Sequence, residues 1–266
     1  MTNIHPACRL AAWLALLCGC GTFTCSTPAT GQVQDKPADP ATTGADNAPA
    51  WYYFDWMAAE RCSPQFRVRD TESSLGPYAR ETKTITLKDL VKMHGHPCDG
   101  LVTAACALSL GLDNLYPDGV IDRTDTCCIT NNSPCFGDVA AYLTGGRIRF
   151  GTQKIDPTLG NEFILWRPST RRAVRVTLRD GVFPAELATL EKRVRSGDFT
   201  PGEMRRCQQM GWQFARGLVA RPPAESFRLV EIDGFEWKPD DYANVGKRGD
   251  VVNKHQSSGN PGEELR

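Results

Sequence analysis

The sequence predicts an α+β domain preceded by a leader and a tether. Three observations carry this reading. One is a long helical pattern rich in small residues from about Asp99 to Leu112; the others are a β-hairpin within 162–178 and a capped amphipathic helix from Pro201. Ala104, Ala105 and Ala107 would let the first helix pack closely at the centre of the domain. In the hairpin, the runs 162–166 and 173–178 flank the turn 167–170, and Arg171, Arg172 and Arg175 read as charges on its outer face. In the third element, Thr200 and Glu203 form a capping box around Pro201, and Met204, Cys207, Gly211, Phe214 and Leu218 mark a buried stripe, which places Cys207 in the core.

The whole chain sets outer bounds. Its 266 residues are enough for one large or two small domains, and a formal charge of zero gives no electrostatic pointer to nucleic acid. Arg9, the apolar run 10–17 and the small residues after it read as an export signal over 1–20, too short to span a bilayer. Leu17-Cys18-Gly19-Cys20 resembles a lipobox, with Cys20 as the lipidated residue and the membrane as the partner; an ordinary cleaved signal is the alternative. Residues 21–49 have the composition of a solvated tether, and 239–266 read as a disordered tail. The chain is thus expected to be extracytoplasmic, in the cell envelope.

Between tether and tail the elements follow in order. The aromatic cluster 51–56 opens an N-terminal extension over 50–85 and reads as cover for a core edge. Thr86 with Asp89 resembles a capping pair, and Leu87, Leu90 and Val91 give a short helix that stops at Gly95. After a bend the central helix starts at Asp99 or Gly100, and Cys106 lies inside it as an inert thiol. Pro117-Asp118-Gly119 marks a turn, followed by a polar stretch ending in Cys127-Cys128. Either of these cysteines could ligate a metal or, after export, form a disulfide, with Cys62 as a candidate partner. Another helix begins near Ser133 or Pro134 and ends at Thr144-Gly145-Gly146. Pro184 opens a helix through Leu187, Leu190 and Val194, and 227–232 reads as a strand.

Chemistry concentrates in His94-Gly95-His96-Pro97-Cys98-Asp99-Gly100, where two imidazoles and a thiol fall within five residues. Imidazole nitrogen and thiolate sulfur suit zinc and other borderline-soft ions. At a helix start, Cys98 gains from the dipole and free N–H groups that favour a thiolate, and Cys135 repeats this arrangement at a second helix start. The metal set is therefore His94, His96, Cys98 and Cys135, with the carboxylates Asp99 and Asp138 nearby in sequence. The other readings are a thiol enzyme or redox protein in which Cys98 works with His94 or His96 as base, a non-catalytic module holding a metal or metallocofactor, and a satisfied polar turn. Cys98 and His96 are the candidate catalytic residues.

The same stretches resemble the FmdE family, the E-subunit family of formylmethanofuran dehydrogenase, whose signature is His-Gly-His-x-Cys-Pro-Gly at a helix start. The first block here matches it except at Asp99, and Cys135-Phe136-Gly137-Asp138 through Leu143-Thr144-Gly145 fits the second block. The resemblance implies a domain over 86–238 with a central helix on a mainly antiparallel sheet, a bound metal that is often zinc, and frequent homodimers. The family takes its name from an accessory component of a molybdenum or tungsten enzyme of methanogens. Three departures stand out: Asp99 in place of proline, Gly146-Arg147 in place of a frequent Cys-Thr pair, and an inserted look to 122–134.

Overall fold

The computed structural model describes residues 52–238 and 254–255. The export signal, Cys20, the tether, Trp51 and nearly all of the tail lie outside the described residues. Helix α1 (Trp56–Ala59) is followed by β1 (Gln65–Arg69), β2 (Lys83–Thr86), α2 (Leu87–His94) and α3 (Asp99–Leu115). Next come β3 (Ile121–Asp122), β4 (Cys127–Thr130), α4 (Pro134–Thr144), β5 (Gln153–Ile155), β6 (Glu162–Arg167) and β7 (Arg172–Leu178). The chain closes with α5 (Ala185–Arg195), α6 (Pro201–Val219), α7 (Pro223–Ser226) and β8 (Phe227–Glu231). The α+β class holds. No described helix is long and apolar enough to cross a membrane.

Helix α3 is apolar on every side, with Leu101, Val102, Ala105, Cys106, Leu108 and Leu112 all buried. A helix of that kind has to be covered all round. One side packs on a sheet of order β5-β4-β6-β7-β8, and α2, α4 and α6 cover the rest. The sheet is antiparallel except where β5 joins β4 in parallel. Leu165 and Val176 crowd the helix: a Cβ on Gly111 would stand 2.5 Å from Leu165 Cδ1 and 2.9 Å from Val176 Cγ2.

A second sheet, of order β2-β1-β3, draws β1 and most of β2 from the stretch 50–85. In β1, Phe66 and Val68 alternate with exposed polar residues and enter the same core as α3. Tyr52, Tyr53, Phe54 and Trp56 pack on the edge of that core, as the aromatic composition suggests. The segment is clasped to α6, since Cys62 N donates to Val219 O at 2.9 Å and Glu60 pairs with Arg216 at 2.7 Å.

Two cysteine expectations change. Cys127 and Cys128 form part of β4, both buried, and Cys62, Cys127 and Cys128 are free thiols. Cys62 sits instead beside Val219 and close enough to Cys106 to influence its thiol. Cys207 is only partly buried, since the first half of α6 is mostly exposed, Met204 included. In the tail, Lys254 accepts from Tyr78 N at 2.8 Å and donates to Thr124 Oγ1 at 3.0 Å.

Two local features set the ends of elements. The Asp125 carboxylate is buried and accepts from Arg167 Nε at 3.1 Å and Ser169 N at 2.9 Å, tying the β6–β7 turn to the loop before β4. Arg167 also lies over the Tyr116 ring at 4.2 Å. Asp125→Ala would leave that guanidinium without its carboxylate, and a loss of about 2–3 kcal/mol is expected in denaturant unfolding, less than for a fully buried pair because Arg167 is partly solvated. The capping box of α6 is present as the sequence predicts, with Thr200 Oγ1 accepting from Glu203 N at 3.2 Å. Thr200→Ala should cost about 1 kcal/mol by the same measurement.

Candidate metal centre

Three chain segments build the centre. Helix α2 ends at His94 because Gly95 adopts φ 99°, a left-handed conformation that closes a helix and turns the chain away. After the bend, Cys98 becomes the N-cap of α3, its Sγ accepting from Leu101 N at 3.3 Å. Cys135 comes from the first turn of α4, where Pro134 occupies the first helical position.

These elements meet. His94, Cys98 and Cys135 each offer a ligand atom within 4.8 Å of the others. His94 Nε2 stands 3.8 Å from Cys98 Sγ, and the two sulfurs are 3.4 Å apart. Gly100 permits this approach: a Cβ there would come within 3.0 Å of Cys135 Sγ. On the other side of its ring, His94 Nδ1 lies 2.8 Å from Asp138 Oδ2. That contact fixes the ring so that Nε2 faces the sulfurs, the arrangement common around metal-bound histidines. The His94 side chain is 4% exposed and forms the inner wall. His96 lies outside the group: it is exposed, with its ring 4.5 Å from that of His94.

The two thiols are not equivalent. The contact with Cys98, joined by the nearby His94 and opposed by burial, pulls the Cys135 thiol down to about 6. The same contact, with burial second, pushes Cys98 upward. Both cysteines begin helices, so the contrast comes from their pairing and not from the helix starts.

Two cavities adjoin the centre. The larger, about 700 Å³, is lined by His96, Cys98, Asp99, Cys135, Glu191 and Arg195, among others. The smaller, about 250 Å³, brings Cys207 and Trp212 to the far side of Cys98, Asp99 and Glu191. Helix α6 comes close here because Gly211 has no side chain; a Cβ would meet Asp99 Oδ1 at 3.4 Å. Glu191 hydrogen-bonds Asp99, and burial first, then Asp99, raises its carboxyl to about 7. Arg195 pairs with Glu191 one turn along α5.

Glu191 is the site residue that the sequence reading misses. Its signal was present: it stands four residues after Leu187 on the inward stripe of α5, where an apolar side chain is expected. Asp138 touches the centre through His94, whereas Asp99 faces the cavities and α5.

A protein-family model described as "FmdE, Molybdenum formylmethanofuran dehydrogenase operon" matches residues 93–228. Among solved structures, the chain is similar to an FmdE-like protein of the tungsten formylmethanofuran dehydrogenase type from Syntrophus aciditrophicus. Identity is 18% and the TM-score 0.37, with 56% of this chain and 72% of that one covered, a likeness too distant to carry an argument. The search of curated proteins gave no match.

Proposed function

This chain belongs to the FmdE family, and from that premise we propose that it binds a transition metal, zinc by preference, through His94, Cys98 and Cys135. The observation that carries the reading is the convergence of one imidazole and two sulfurs from separate helix ends within 4.8 Å. Two sulfurs and one nitrogen are a donor set that zinc and similar soft ions favour over magnesium or calcium. Cys98 and Cys135 line the larger cavity and His94 does not, so a fourth ligand would arrive from the cavity side. His96 lines that cavity and is the sequence's own candidate for it; water or a small molecule would leave the site open.

When bound, such an ion supplies Lewis acidity or an activated water. The chain's own contribution is to hold the donors, to fix the His94 tautomer through Asp138, and to place the Asp99–Glu191 carboxyl pair beside the cavity. A non-catalytic metal or metallocofactor carrier uses the same donors. Rapid metal exchange without turnover of any ligand distinguishes it from an enzyme.

The test is elemental analysis of untagged protein after desalting. A zinc content near zero under metal-replete growth, with another ion in its place, would change the metal and keep the site; no ion at all would remove the reading. Asp138→Asn should weaken metal affinity about 10- to 100-fold while leaving all three ligands present, measured by chelator competition.

Export and lipid attachment at Cys20 complete the proposal, supported by the sequence 17–20 and the tether after it. Cys20→Ala is expected to move the protein from the membrane to the soluble fraction and to abolish incorporation of labelled fatty acid. An unchanged distribution would argue for a soluble exported form.

A further inference from the structure

We propose that Cys98 and Cys135 are also a reversible dithiol–disulfide couple, so that closing the bond between them dismantles the metal centre. The couple uses the same two sulfurs as the proposed metal site but does not depend on a metal being bound. Three observations point to it. The sulfurs stand 3.4 Å apart, so a disulfide needs an approach of only about 1.4 Å. The gap is set by Gly100, whose missing side chain lets the starts of α3 and α4 draw together. Both thiols line the 700 Å³ cavity, where a small disulfide can reach them, whereas Cys106, Cys127 and Cys128 are buried.

The reaction is thiol–disulfide exchange. One of the two sulfurs, as its thiolate, attacks one sulfur of a small disulfide RSSR, expels RS⁻ and becomes a mixed disulfide. The other gives its proton to the departing thiolate and attacks the first cysteine's sulfur, expelling the second RS⁻. Two cysteines lose two electrons in total, and RSSR is reduced to one RSH and one RS⁻. In the product neither sulfur is anionic, which leaves His94 as the only strong donor of the three and releases the ion.

The experiment uses the full chain, reduced, stripped with chelator and exposed to oxidised glutathione. Mass-spectrometric peptide mapping should locate a bond between Cys98 and Cys135, with both protected from later alkylation. Cys135→Ala should leave no intramolecular bond and a glutathione adduct on Cys98. Preloading with Zn²⁺ should slow closure at least tenfold, and a chromophoric chelator should register zinc as the bond forms. Glutathione adducts on either thiol of the wild-type protein without a Cys98–Cys135 bond, or no modification of the stripped protein, would overturn the proposal. Closure in a protein that takes up no metal keeps this inference and removes the metal reading; zinc uptake without closure does the reverse.

Discussion

Replacing Cys98 with serine is expected to take metal content from about one ion per chain to near none, whereas Cys207→Ala leaves it unchanged. The contrast is informative because both thiols border the same small cavity, and only Cys98 has its sulfur within reach of His94 and Cys135. Serine is the better first substitution. Cys98 also caps α3 through Leu101 N, and a serine oxygen can keep that role, so metal loss is separated from helix fraying. Cys98→Ala should lose the metal as well and unfold about 1 kcal/mol more easily. Elemental analysis and a thermal melt on each variant suffice. Retention of metal by both Cys98→Ser and Cys135→Ser would place the ion elsewhere.

Gly111→Val is expected to lower stability by about 2–3 kcal/mol. Glycine is a poor helix former, and a substitution that merely filled space would gain up to about 1 kcal/mol. Here the first added carbon already overlaps Leu165 Cδ1 and Val176 Cγ2, and the β-branch adds bulk against the same two strands. For a domain of this size the melting temperature should fall by about 5–10 °C. Adding Leu165→Ala should recover part of the loss, because it removes the atom that the new valine side chain would strike. An unchanged melt for the single variant would mean that α3 can move away from the sheet without cost.

Strong local signals were legible in the sequence. The two capping boxes, the Gly95 stop, the hairpin and the apolar pattern of α3 are properties of a few neighbouring residues, and each appears where its residues place it. What was missed depends on distant partners. β1 has only Phe66 and Val68 to mark its inner face, and it becomes a strand by pairing with β2 and β3. β4 follows a polar stretch, and its adjacent cysteines suggest a disulfide until β5 and β6 bury them. At the site, the motif led to Cys98 and the second helix start to Cys135. Nothing local could tell that Gly95 turns His94 inward and leaves His96 at the surface. Cys207 fails for a related reason: a stripe predicts which way a helix faces, not whether a neighbour fills the space beneath it.

The clasp between the first described segment and α6 decides where this domain can be cut. A fragment starting at 93, where the family match begins, would lose Leu87, Leu90 and Val91 together with the strand holding Phe66 and Val68. It would bare the helical side of the core and unseat the histidine that closes the back of the centre. An excised piece meant to fold by itself has to start no later than Tyr52, although everything before 93 looks dispensable by family resemblance alone.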